Sequence, residues 1–171
     1  TNIPEARRAL SAFAAAGLLA ACQDHEFGGM QLPTVMEKAA TAWFTAANVA
    51  TSAYIFLTVA NANTLLKCAT PRQVAQFVRP MFAGQFFGTM CLSEPQAGSS
   101  LSDIASRAER QDDGTYRPPG RKRWISPAQH EPSEHIVPPV PAHTAGAPAA
   151  GKGAPPTPRQ NPLARVAVKL P

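Results

Sequence analysis

At 171 residues, 44% of them hydrophobic and 7% aromatic, the chain has the length of one ordinary domain, or of one and part of a second. Its net charge of +5 is spread thinly apart from Arg121-Lys122-Arg123, which argues against a nucleic-acid partner, a class that gathers its basic residues on one face. Cys22, Cys68 and Cys91 are too scattered for a disulfide framework or a metal site, and no run reaches the ~18 uninterrupted apolar residues of a membrane span.

All aromatic residues lie between Phe13 and Trp124, whereas 11 of the 18 prolines fall from Pro127 onward. The chain therefore divides into a part able to build a core, ending near Ser126, and a Pro-rich tail that lacks the means to fold alone. It opens on Thr1 with helix-forming residues at once and shows no signal peptide. This reads as a piece of a longer, cytoplasmic polypeptide with reduced thiols.

Pro4 suits a first helical turn, Leu10, Phe13 and Ala14 follow at helical spacing, and Gly17 fits the position just past a helix end. Gly28-Gly29 marks a tight turn. Pro33 opens a second helix with Val35, Met36, Ala39, Ala40, Trp43 and Phe44 as its apolar stripe. A third runs from about Val49 to Lys67, with Ile55, Val59, Ala62, Leu65 and Leu66 on one side. Thr70-Pro71 is an N-cap with proline at the first helical position, starting a fourth helix that Pro80 and Gly84 bring to an end. The period then changes. Phe86 to Leu92 is a short apolar run of strand formers, and Ile104–Arg110, Asp112-Asp113-Gly114 and Thr115–Arg117 form a β-hairpin pattern. Helices followed by antiparallel strands predict an α+β fold with segregated halves. The expected organisation is a helical domain at 1–84, a partial β domain at 85–126 and an extended or disordered tail at 127–171.

Few residues offer chemistry by themselves. The Gly98-Ser99-Ser100 turn has the small side chains that let backbone N–H groups close on a phosphate, and the same three residues suit a surface loop. Glu94 before Pro95 fits a structural acceptor of backbone hydrogen bonds. His25-Glu26 reads as a solvated turn. His130, His135 and His143 lack ligand spacing, so no metal is expected.

The run Leu92-Ser93-Glu94-Pro95-Gln96-Ala97-Gly98-Ser99, with Trp124-Ile125-Ser126 beyond a hairpin of the right length, resembles the flavin-binding signature of the acyl-CoA dehydrogenase family. The likeness extends over most of residues 1–126 and includes the Gly28-Gly29 turn. It implies an N-terminal helical domain, a β domain and a C-terminal four-helix bundle, the last absent here. It also implies FAD-dependent α,β-dehydrogenation of acyl-CoA thioesters in fatty acid metabolism, electron transfer to an electron-transfer flavoprotein, and a homo-oligomeric full-length protein. Carried over residue by residue, Met90, Leu92 and Ser93 would line the flavin ring. Gly98 and Ser99 would hold the pyrophosphate, Trp124 would lie against the isoalloxazine, and Ser126 would donate a hydrogen bond near its reactive edge. The family's catalytic glutamate comes from the bundle, so no catalytic residue is assigned.

Ser133-Glu134-His135-Ile136-Val137, Gly146-Ala147-Pro148 and Gly151-Lys152-Gly153 resemble a bacterial subgroup whose long members act on 3-methylthiopropanoyl-CoA. Here Pro138-Pro139-Val140-Pro141 and Pro155-Pro156-Thr157-Pro158 occupy the subgroup's strand positions, where proline withdraws ladder donors. Two readings follow: a truncated or degenerate dehydrogenase inactive as this chain alone, or a non-enzymatic helical interaction module that keeps the family fold.

Overall fold

The structure is a computed structural model and describes residues 4–126 and 135–144. Its helices are α1 (Pro4–Ala15), α2 (Thr34–Ala47), α3 (Val49–Cys68), α4 (Pro71–Gln73) and α5 (Arg79–Phe82), the last two joined by a π-helical turn at Val74–Val78 into one run. The strands are β1 (Phe86–Gly88), β2 (Arg107–Arg110), β3 (Tyr116–Arg117), β4 (His135–Val137) and β5 (His143–Thr144). This is the expected α+β order. The chain gathers into two compact units, the first reaching Thr89 and including β4, the second formed by Met90–Ser126 with Pro138 onward. Thus β1, which the sequence groups with the strands after it, belongs to the helical unit.

The first unit follows its local signals closely. α1 stops where Gly17 takes a φ of 72°, a left-handed conformation that costs glycine nothing. Leu10 and Phe13 are its buried residues, and Phe13 meets the Phe44 ring edge-on at 4.9 Å. Asn48 caps α3 by accepting the Thr51 N–H. Thr70 and Gln73 exchange side-chain and backbone bonds in a capping box. Thr70→Ala is expected to lower stability by about 1 kcal/mol in thermal unfolding followed by far-ultraviolet circular dichroism.

Two features differ from the reading. Pro80 does not end the fourth helix, which continues to Phe82. Proline lacks an N–H and its ring crowds the carbonyl four residues back. The π-helical turn at Val74–Val78 widens the backbone ladder at that carbonyl. The apolar stripe of α2 is also largely unburied: Val35 is 70% exposed and Trp43 82%.

α3 is the central element. It is long and apolar enough to cross a bilayer, with a mean hydropathy of 1.3 over its best window, but its polar residues are engaged in this unit. Thr58 and Asn61 are fully buried. The Thr58 hydroxyl donates to the Tyr54 carbonyl at 2.7 Å and accepts the Gly88 N–H at 3.0 Å. The Asn61 amide nitrogen donates to the carbonyls of Val137 and Thr89. A Cβ on Gly88 would lie 2.7 Å from the Asn61 side chain, so the bare backbone there lets helix and strand approach this closely. Leu19, Ala20, Ala21, Ile55, Ala62, Leu65, Phe77, Val78, Met81, Phe82, Phe87 and Val137 complete the apolar core.

β1 pairs in parallel with β4, Phe86 with His135 through Gly88 with Val137. The expected strand to Leu92 is cut to three residues. Thr89 N–H still donates to the Val137 carbonyl, and Cys91 N–H to that of Pro139. The answering donors of a parallel ladder would be positions 139 and 141, and both are proline.

In the second unit β2 pairs antiparallel with β3 and parallel with β5. The hairpin turn is where Asp112-Asp113-Gly114 predicts it, closed by the Gln111 N–H on the Thr115 carbonyl and by Asp113 accepting from the Thr115 N–H. Ala97, Ile104, Ala108, Pro139, Pro141 and Ala142 are its buried apolar residues. Residues 135–144, assigned to the tail by sequence, run extended and are taken into pairing with β1 and β2. The rest of that segment, with His130, Gly146-Ala147-Pro148 and Gly151-Lys152-Gly153, lies outside the described residues.

Candidate functional site

Every residue that the sequence singles out for cofactor binding falls in the second unit. Met90, Leu92 and Ser93 are half-buried along the segment that follows β1. Glu94 and Ala97 then exchange backbone bonds of 2.8 and 3.2 Å, closing a tight turn with Pro95 at its favoured second position. This turn delivers Gly98 and Ser99 to the surface, both exposed. A Cβ at Gly98 would meet nothing within 4 Å. Among the described residues no acceptor takes the Gly98 or Ser99 N–H. The turn therefore presents open backbone of the kind an anion can approach.

The exit of the hairpin comes back to the same place. Arg123 N–H donates to the Ser93 carbonyl at 3.0 Å, which sets Trp124 one residue from the segment bearing Leu92 and Ser93. Trp124 has a φ of 54°, a conformation that costs a bulky side chain on the order of 1–3 kcal/mol. The residue is 76% exposed. A large apolar ring held outward on a strained backbone is a surface suited to stacking on a planar ligand. Ser126 is exposed two residues further on.

Beneath this surface lies a pair that the sequence reading did not join. Glu94 is 3% exposed and accepts four hydrogen bonds: from the Ala105 N–H at 2.7 Å, the Ser106 N–H at 3.1 Å, the Gln96 amide at 2.8 Å and the Lys122 ammonium at 2.8 Å. Burial pushes its carboxyl up. The bonds from Lys122, Ser106 and Ala105 outweigh that and hold it at about 2. Lys122 also donates to the carbonyls of Leu92 at 3.2 Å and Pro141 at 3.0 Å, so all three ammonium protons have acceptors. The structural role expected for Glu94 is met on a larger scale, because its bonds cross to residues 105, 106 and 122 rather than staying in its own turn. The signal for Lys122 is its place between the exposed Arg121 and Arg123 on a chain segment that must bury alternate side chains. Burial also pushes the Cys91 thiol up, against the opposing effect of the Lys122 charge, and so keeps it from acting as a thiolate nucleophile.

The second unit thus offers an anion-accessible turn, a stacking surface and a hydrogen-bonded pair that supports them. Comparison with known proteins agrees in fold. Residues 1–85 match the family model described as acyl-CoA dehydrogenase, N-terminal domain. A 3-methylmercaptopropionyl-CoA dehydrogenase of Ruegeria pomeroyi (strain ATCC 700808 / DSM 15171 / DSS-3) is 39% identical over 128 residues, 75% of this chain and 22% of its own length. A matched stretch that long must include residues 90–126. The glutaryl-CoA dehydrogenase of Mycobacterium smegmatis superposes with a TM-score of 0.72 at 22% identity, over 84% of this chain and 36% of that one. An acyl-CoA dehydrogenase complexed with FAD from Bacillus anthracis gives 0.69 at 22% identity, over 82% and 24%. The chain spans less than a quarter of the length of the Ruegeria relative.

Proposed function

The chain belongs to the acyl-CoA dehydrogenase family, and from that premise we propose that residues 90–126 hold FAD for the α,β-dehydrogenation of an acyl-CoA thioester. The observation that carries this reading is the Arg123–Ser93 bond beside an exposed, backbone-strained Trp124. Met90, Leu92 and Ser93 would line the ring, Trp124 would stack on it, Gly98 and Ser99 would hold the pyrophosphate through their backbone N–H groups, and Ser126 would donate near the ring's reactive edge. When bound, FAD supplies a two-electron acceptor for the hydride leaving the substrate's β-carbon. The protein's part is to orient the ring and to keep water from its stacked face.

Proton abstraction from the α-carbon needs a separate carboxylate. The buried carboxylate of the second unit, Glu94, is committed to four hydrogen-bond donors and held at about 2, so it is a poor base at neutral pH. These 171 residues alone are therefore expected to turn over acyl-CoA negligibly, whatever their affinity for FAD. An acyl-CoA substrate, an electron-transfer flavoprotein as acceptor, homo-oligomeric assembly and a cytoplasmic setting belong to the same reading and rest on the likeness to the family.

The test is a titration of the chain with FAD in a Trp43→Phe background, where Trp124 is the remaining indole. Quenching of Trp124 emission together with a shifted flavin absorbance band is the expected result, and Trp124→Ala should weaken binding about tenfold. Free FAD spectra unchanged by saturating protein would remove the proposal that this chain binds the cofactor.

One observation favours the second reading, a helical association module. Val35, Met36 and Trp43 of α2 and Val49 and Phe56 of α3 are 55–82% exposed, large apolar side chains that a partner surface could cover. Light scattering that finds a monodisperse monomer at high concentration, with no binding of a hydrophobic dye, would count against it.

A further inference from the structure

The segment Met90–Ser93 has an unusual support problem. It continues from β1 alongside a strand whose next residues are Pro138-Pro139-Val140-Pro141. Cys91 can donate to Pro139, but proline returns nothing, so the usual two-way ladder is lost where the flavin-facing residues begin. A three-residue strand with one-sided bonds is a weak foundation for atoms that must be held to within about half an ångström of their ligand.

Lys122 stands where that support is missing. Its side chain is 12% exposed, and its ammonium reaches Leu92 O, Pro141 O and Glu94 Oε1 at 3.2, 3.0 and 2.8 Å. It thus joins the flavin-facing segment to the proline-bearing strand, supplying a donor to each from a third piece of chain. Glu94 fixes the ammonium from below and is itself clamped by the Ala105 and Ser106 N–H groups. The next residue, Arg123, donates to Ser93. One short stretch, residues 122–124, therefore ties Leu92, ties Ser93 and presents the indole.

We propose that Lys122, anchored by Glu94, is a positioning residue for the flavin surface, its ammonium bridging the Leu92 and Pro141 carbonyls where the prolines leave the ladder one-sided and so setting the spacing between segment 90–93 and Trp124. What the surface is positioned to hold rests on the flavin reading; the positioning itself does not. Lys122 acts through the backbone it holds and touches no reacting atom.

The test separates position from stability. Lys122→Met alone leaves a buried carboxylate without its counter-charge, and the variant can fail to fold for that reason. The double variant Glu94→Gln/Lys122→Met removes both charges, and the amide oxygen it introduces can still accept one of the Ala105 and Ser106 N–H bonds, which end on different carboxylate oxygens, so part of the internal support remains. In the 171-residue chain, amide exchange of Cys91 and Arg123 is expected to quicken about tenfold in the double variant, the loss of about one hydrogen bond's free energy, while Gly88 and Ser52 amides in the first unit are unchanged. FAD affinity, read from Trp124 quenching, should fall about tenfold. Lys122→Arg should restore part of both, since it keeps the charge without three converging protons. Wild-type protection at Cys91 and Arg123 in the double variant would overturn the positioning role, whether or not FAD binds. A wild-type chain that does not respond to FAD would sink the flavin reading and leave the exchange result to decide this one.

Discussion

Replacing Asn61 with Ala is expected to destabilise the helical unit by about 3 kcal/mol. Replacing it with Asp should cost more, by an amount that grows with pH. The Asn61 side chain is fully buried, and both groups facing its amide nitrogen, the carbonyls of Thr89 and Val137, are acceptors. That leaves one orientation of the amide open to it. Its Oδ1 has no hydrogen-bond partner among the described residues, so the site already carries one unsatisfied acceptor to keep the two donations. Ala withdraws both donations and leaves a small void between α3 and β1. Asp would aim carboxylate oxygens at carbonyl oxygens in a dry site. That raises its folded-state pKa above the unfolded value of about 3.9. The sign follows: below that pH the acid is protonated in both states, can donate once, and the penalty is smallest. As pH rises above about 3.9 the unfolded chain gives up its proton and the folded one resists, so stability falls. Urea unfolding at about pH 4 and about pH 7 checks this. An Asp variant equally stable at both values, or an Ala variant within about 1 kcal/mol of wild type, would show that Asn61 does not hold β1 and β4 to α3.

What could be read in advance is what local chemistry decides. Thr70-Pro71 carries its cap in its own side chains, Gly17 its φ in the absence of a Cβ, and Asp113 its turn in a carboxylate two residues from the amide it binds. Features decided by a distant partner were out of reach. The length of β1 depends on Pro139 and Pro141, which lie far along the chain. The exposure of the α2 stripe depends on which surfaces are present to cover it, and a helical period marks an apolar side without naming its partner. Pro80 alone signals a helix end, and the π turn that absorbs it has no sequence signature. At the candidate site, the residues were legible as a family resemblance, whereas the Arg123–Ser93 bond that joins their two halves is tertiary. In the sequence Lys122 is one of three basic residues in a row, and its burial depends on where the hairpin returns.

The second large effect is expected at Glu94. Glu94→Ala should cost the second unit about 3–5 kcal/mol, because it strands a buried ammonium and two backbone N–H groups together. Glu94→Gln should cost less, since its one amide oxygen keeps an acceptor for one of the two amides. Acid provides an independent check. Burial raises the Glu94 carboxyl, and the bonds from Lys122, Ser106 and Ala105 lower it further than burial lifts it, to about 2 from an ordinary value of 4.5. A depressed folded-state pKa contributes stability that is fully present above 4.5 and is lost as pH falls through the folded value. Protection of the Ala105 and Ser106 amides should therefore decline between pH 4.5 and about 2 in the wild-type chain. The loss reflects the carboxylate's protonation. In Glu94→Gln the same two amides should show no such decline, beyond the intrinsic pH dependence of exchange measured in an unfolded reference peptide. A wild-type decline identical to that of the Gln variant would mean the acid sensitivity originates elsewhere and that the Glu94–Lys122 pair adds nothing to the stability of the surface it supports.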